Sequence, residues 1–330
     1  MNMNQWLTEC LNNPGKAPLP VLSFPGIQII GTTVPELVHS SELQANCMVA
    51  IASRYPTLAA VSNMDLSVEA EAFGATTRYG DEEVPSILGR LIDTEEDAQQ
   101  LQIPPVGAGR TGACVEAIRK VVTRITDRPV LAGVIGPFSL AGRLFEMTEI
   151  MYKAVDEPET VHLVLAKCTQ FITDYILAFK AVGANGVVMA EPAAGLLSPD
   201  WNREFSAGYV KKIVDAVQDE NFIVVYHNCG NVLPLIPDII AHGAKAYHFG
   251  NAISLPEVIK HMPADRLVLG NIDPSSQFMS GTPESIKAAA SDLIAQMKGY
   301  PNFVLSSGCD IPPRTPLANI DAFFAAAAGK

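Results

Sequence analysis

Three residues stand out by type and spacing. His227 and Cys229 form an H-x-C pair behind the apolar run FIVVY, and Cys309 follows FVLSSG. Residues i and i+2 of an extended segment share a face, so His227 and Cys229 can aim at one ion. One imidazole nitrogen with two thiolate sulfurs is a soft-to-borderline donor set that selects zinc over magnesium or calcium. Two buried thiols and a hydrogen-bonded core histidine would leave the same pattern. The neighbouring Gly230 and Gly308, and the position at the ends of apolar runs, favour the metal. Glu191 follows GVVMA, and a carboxylate leaving a buried strand needs a partner. That partner is either a salt bridge or helix N-cap, or a metal for which Glu191 is the fourth, exchangeable ligand. Asp65 closes another apolar run, as a loop cap or as a group that binds substrate and handles protons. Asn228, His248, Asn251 and Asp273 are assigned to substrate binding, with a core histidine and a plain Asp-Pro turn as alternatives for His248 and Asp273.

These residues need a scaffold that brings distant segments together. Candidate strands are 19–24, 58–65, 129–136, 186–191, 222–229, 246–250, 267–272 and 303–307. Most are unbroken β-branched or aliphatic runs, as expected of strands buried on both faces of a parallel sheet. Helix-length amphipathic segments separate them, at 35–53, 112–127, 157–183, 201–217, 232–242, 254–261 and 283–298. Thr282-Pro283 reads as a cap followed by proline at the first helical position, and Gly183 and Gly243 sit where helices should stop. The expected fold is α/β, a single-domain (β/α)8 TIM barrel over residues 1–330. An acid-rich excursion at about 66–110 is expected to pass over the barrel mouth. The competing architecture is an open doubly wound sheet, but no G-x-G-x-x-G follows any strand. In a barrel the C-terminal strand ends form the site, and His227, Cys229, Cys309 and the polar residues named above all fall there.

Composition narrows the partners. The chain has 330 residues, 48% hydrophobic, with a formal net charge of −12. It has no Lys/Arg-rich run and only 7% aromatic residues, which argues against nucleic acid. The N-terminal residues carry neither a basic region nor an apolar core of a signal peptide, and no apolar run approaches 18 or so residues. A cytoplasmic protein that does not enter membranes is expected, with Cys10, Cys47, Cys114 and Cys168 as reduced, buried small apolar residues.

Several stretches then take on a familiar look: VLAGVIGPFSLAG from Val130 to Gly142, EPAAG from Glu191 to Gly195, VLGNIDP from Val268 to Pro274, and VLSSGCDIPPRTPLAN from Val304 to Asn319. Across most of its length the chain resembles the uroporphyrinogen decarboxylase superfamily. Within it, the chain is most similar to the zinc-dependent, corrinoid-linked methyltransferases, whose H-x-C and Gly-Cys pattern falls here on His227, Cys229 and Cys309. DLSVEAEAFG, from Asp65 to Gly74, resembles that branch as well. The resemblance implies the (β/α)8 fold, zinc, and transfer of a methyl group between the methyl-corrinoid of a partner protein and a small molecule. That molecule would be a thiol such as coenzyme M, tetrahydrofolate or a methylated substrate. The decarboxylase itself has an Arg-rich segment after its first strand that neutralises a polycarboxylate porphyrin. No Arg or Lys occurs here from Val21 to Thr33, and burying several carboxylates without cations is prohibitively costly. A decarboxylase of the same fold and a non-catalytic corrinoid- or small-molecule-binding barrel are the rival readings.

Overall fold

The apolar runs become strands because each has helices to cover its outer face. The computed structural model describes residues 1–13 and 15–329. Its strands are β1 (Ala60–Val61), β2 (Thr76–Arg78), β3 (Ser86–Leu88), β4 (Val130–Ile135), β5 (Gly186–Ala190), β6 (Ile223–Asn228), β7 (Ala246–Phe249), β8 (Leu267–Ile272) and β9 (Phe303–Ser307). Seven of them form one parallel sheet in the order β1-β4-β5-β6-β7-β8-β9, curled in the manner of a barrel, while β2 and β3 pair as a separate antiparallel hairpin.

The expected first strand, 19–24, departs from the reading of the sequence. Pro18–Leu22 occupies the gap between β9 and β1, where the Leu19 amide donates to Leu305 O and the Leu58 amide donates to Pro18 O. No regular ladder forms there, because Pro18 and Pro20 have no N–H to give. The Val21 amide donates to the Ser307 hydroxyl instead, at 3.0 Å. Phe24–Gly26 then turns into a short 3-10 segment.

Strand alternation sorts the side chains into two layers. Leu131, Val188, Ala190, Ile223, Val225, Ala246, Leu267, Leu269 and Val304 point into the barrel, with Leu19 and Val21 from the closing segment. The helix Met3–Asn12 covers the bottom of this interior with Met3, Trp6, Leu7 and Cys10. The opposite faces of the same strands, including Val187, Met189, Val224, Tyr226 and Phe249, pack under the outer helices. Fully buried Phe and Tyr side chains are numerous in that outer layer. Each contributes about 1.5–3 kcal/mol, so the fold has a large core of its own.

Local signals behave as their chemistry dictates. The Thr282 hydroxyl accepts from the Ser285 amide at the start of the helix Pro283–Gln296, and Gly183 and Gly243 take positive φ at helix ends. The expected helix 35–53 is two helices, Val34–His39 and Ser41–Arg54, because Ser40 is extended and caps the second. Between β1 and β4 the chain makes the hairpin β2–β3 and a short helix, Glu95–Gln100. Among the described residues, no helix is long and apolar enough to cross a membrane.

Candidate metal centre

Ile223 and Val225 point into the barrel, so the same alternation carries His227 inward at the C-terminal end of β6, with Cys229 following two residues on. Cys309 arrives from the turn after β9. One ring nitrogen of His227 and the Cys229 and Cys309 sulfurs lie within 4.8 Å of one another. The Cys309 Sγ is 3.7 Å from His227 Nε2. Tetrahedral zinc with ordinary Zn–N and Zn–S bonds sets that separation at about 3.6 Å. The donor set, and this separation within it, fit zinc. The Cys229 thiol is pulled down to about 7 by its hydrogen bond with Cys309, whose own thiol is pushed up to about 12 by the same contact.

Glu191 is placed elsewhere. It continues the outward series Val187 and Met189, and its fully buried carboxylate meets the start of the helix Pro137–Phe145. Oε1 accepts from the Phe138 amide at 2.8 Å and the Ser206 hydroxyl at 2.9 Å, while Oε2 accepts from the Ser139 amide at 2.9 Å. That is the N-cap alternative, favoured by the helix dipole. Glu191 is not among the groups that converge with His227 in this arrangement. Asn228 faces outward for the same reason. Its amide donates to Glu191 O and its Oδ1 accepts from the Gly230 amide, so it shapes the loop and has no exposed surface for a substrate.

His248 points into the barrel beside His227, its register partner on β7. It is buried, with Nδ1 2.6 Å from His227 Nδ1 and Nε2 2.8 Å from Ser306 Oγ. Both ring nitrogens are occupied, which removes it from the substrate-binding set. Asp273 caps the turn Pro274–Met279 by accepting from the Ser275 and Ser276 amides and the Ser276 hydroxyl, the plain-turn alternative. Asn251 is exposed and packs against Gly308, next to Cys309. Of the four residues assigned to substrate binding, it alone has a free face near the centre.

Asp65 is buried and held by a residue to which the sequence gave no role. Arg110 pairs with both Asp65 and Glu71 and donates to Ser67 Oγ, and Asp65 Oδ1 accepts from the Ser67 amide and hydroxyl. Arg110 reaches this position from a tight turn in which Gly107 and Gly109 take positive φ. A buried ion pair of this kind costs about 3–5 kcal/mol to break from one side. Asp65 is thus a structural anchor of the segment after β1, and the two groups neutralise each other.

A cavity of about 640 Å³ lies next along the chain from Cys309, though His227, Cys229 and Cys309 do not themselves line it. Asp310, the neighbour of Cys309, lies on its wall, together with Met64, Met279 and residues 82–86 before and at the start of β3. Glu82 and Arg314 on the same wall pair with each other. Arg143 also lines it, half-buried, and makes no ion pair with any described residue. The sequence offered no signal for Arg143, which lies in the middle of an apolar helix.

Comparison with known proteins places this geometry among relatives. The uroporphyrinogen decarboxylase (URO-D) family model matches residues 23–329. A methylcobamide:CoM methyltransferase of Methanosarcina acetivorans is 28% identical over 269 residues, covering 78% of this chain and 75% of that protein. A uroporphyrinogen decarboxylase of Chlorobium phaeovibrioides is 29% identical over 254 residues, 71% of this chain and 69% of that one. The solved structure of a methyltransferase from Methanosarcina mazei superposes with a TM-score of 0.87 at 25% identity, over 100% of this chain and 99% of that chain.

Proposed function

The chain belongs to the uroporphyrinogen decarboxylase family, and from that premise we propose that it is a zinc-dependent methyltransferase that moves a methyl group from the cobalt of a corrinoid protein to a thiol. One observation carries the reading: His227, Cys229 and Cys309 converge at the mouth of the barrel, and Asp310, the chain neighbour of Cys309, lines a cavity large enough for a small substrate. The names of similar methyltransferases support the same reaction class.

His227 and the two cysteines would hold the metal, with a fourth position left to the substrate. Zinc bound there supplies one chemistry, the stabilisation of an incoming thiol as its thiolate at neutral pH. The two cysteine sulfurs keep the site electron-rich, which suits a thiolate nucleophile better than a hydroxide. The thiol proton would be released to solvent. The partner's methyl-corrinoid would supply the methyl group, its cobalt keeping the electron pair of the Co–C bond as the thiolate held by zinc on His227, Cys229 and Cys309 gains the S–CH3 bond. The barrel mouth is the face on which the corrinoid protein docks.

Arg143 speaks to the rival decarboxylase. A single unpaired guanidinium on the cavity wall suits one anionic group. It does not suit the several carboxylates of a porphyrinogen, each of which needs a cation once desolvated. The test is anaerobic incubation of zinc-loaded protein with methylcobalamin and 2-mercaptoethanesulfonate or 2-mercaptoethanol. Loss of the methyl-Co(III) spectrum with stoichiometric thioether is expected. Cys309→Ala should stay folded and lose nearly all of this activity. Coproporphyrinogen formation from uroporphyrinogen, with no methyl transfer to any thiol, would overturn the proposal.

A further inference from the structure

Behind His227 lies a short chain of hydrogen bonds that no role in methyl transfer has absorbed. The Ser306 hydroxyl donates to Leu19 O at 2.7 Å. Its single proton is thereby used, so toward His248 Nε2, at 2.8 Å, Ser306 Oγ acts as acceptor. His248 therefore carries its proton on Nε2 and presents a lone pair on Nδ1. That nitrogen faces His227 Nδ1 at 2.6 Å, so the proton between them belongs to His227. A second acceptor agrees independently: His248 O lies 3.2 Å from the same His227 nitrogen, and a carbonyl accepts only from a protonated one. With Nδ1 protonated, the lone pair of His227 sits on Nε2, the atom that faces Cys309.

We propose that His248 is the positioning residue of the metal centre, fixing His227 as the Nδ1–H tautomer so that Nε2 is always the donor offered beside the two thiols. The inference rests on the metal reading above for its purpose, but not for its geometry. Every member of the chain is buried: His227 and His248 are 4% and 1% exposed, and Ser306 is fully enclosed. Water cannot supply the substitute bonds that would let the tautomers exchange. The chain orients and does not conduct, since it ends on the Leu19 carbonyl, which has no proton to pass on. Ligating histidines elsewhere are commonly held by a carboxylate, carbonyl or water. Here a second imidazole does this work, and both rings come from register partners on adjacent strands, β6 and β7.

The test uses the full-length protein in two measurements. The 15N shifts of the metal-free protein, with histidine labelled, report the tautomer directly. Wild type should show His227 protonated on Nδ1 and bare on Nε2. His248→Phe keeps a ring and the backbone carbonyl at 3.2 Å but removes the ring acceptor at 2.6 Å, so it should show a mixture, and His248→Gln, whose amide can both accept and donate, should restore the wild-type pattern. Zinc affinity by chelator competition should fall about 10–100-fold in His248→Phe and recover largely in His248→Gln. Ser306→Ala gives the same test if His248→Phe does not fold. A His227 bare on Nδ1 in wild type, or unaltered shifts and zinc affinity in a folded His248→Phe or Ser306→Ala, would overturn the inference. Absence of zinc binding in wild type would count against the metal reading, while the 15N shifts would still decide the role of His248.

Discussion

Gly250→Ala offers a steric test of the metal centre from a residue that binds nothing itself. Gly250 follows β7, and its backbone passes directly over Cys229. A Cβ built on Gly250 would lie 2.5 Å from Cys229 Cβ and 2.9 Å from Cys229 O, where ordinary contact begins at 3.4 Å. Cys229 Cα lies nearer still, so relief needs a displacement of about 1 Å, and the contact is held in place. The Gly250 amide donates to Asn228 O, and Gly250 O accepts from Asn271 Nδ2. Zinc–ligand distances tolerate only about 0.2 Å, so Cys229 would lose its place beside His227 and Cys309. Disturbing an outer partner of a ligand costs about 10–100-fold in metal affinity; moving the ligand itself should reach the upper end of that range or pass it. Overpacking of this kind destabilises by about 1–3 kcal/mol, too little to unfold a barrel with so large a core. The assay is zinc affinity by competition with a chromogenic chelator, with thermal melting as the control. A folded Gly250→Ala that binds zinc as tightly as wild type would refute the placement of Cys229 in the site.

Arg143→Ala should selectively weaken an anionic acceptor. The ratio of KM for 2-mercaptoethanol to KM for 2-mercaptoethanesulfonate should fall at least about tenfold, and an unaltered ratio would remove Arg143 from substrate recognition. Glu69 makes a pH prediction. Its carboxyl is buried, with Oε1 accepting from the Ile135 amide, and burial pushes it up to about 7 from 4.5. The folded state therefore holds a proton that the unfolded chain releases. The stability from this group is whole below about 4.5 and is lost as pH rises through about 7, roughly 3 kcal/mol in all. Glu69→Gln should flatten that decline in urea unfolding between pH 5 and pH 8, and an identical slope in both proteins would contradict it.

Much of the centre was legible before any coordinates, because glycine-flanked His and Cys at strand ends are local signals and a barrel gathers strand ends. The face each strand presents was not. In an amphipathic strand, polar residues mark the outside, but β5 and β6 are apolar on both faces. Nothing in GVVMAE or IVVYHNC says which parity is inward, so Glu191 and Asn228 looked as available as His227. Only the packing of Ala190 and Ile223 into the barrel decides it. The closing segment is a different case. Its two prolines at 18 and 20 were visible and already argued against a laddered strand. The Asp65–Arg110 pair spans 45 residues, and a contact of that separation leaves no pattern in a single sequence. His248 was noticed as a residue but not for its partner, because strand register is a property of the sheet.

The central claim is that His227, Cys229 and Cys309 hold zinc and leave it a place for the substrate thiol. Zinc-edge X-ray absorption of the purified protein tests this most directly. The resting protein should show two sulfur scatterers at about 2.3 Å and at least one nitrogen at about 2.0–2.1 Å, with about one zinc per chain. Addition of 2-mercaptoethanesulfonate should raise the sulfur count from two to three, and Cys309→Ala should lower it by one in any zinc retained. A first shell without sulfur, or one that the thiol leaves unaltered, would contradict the account.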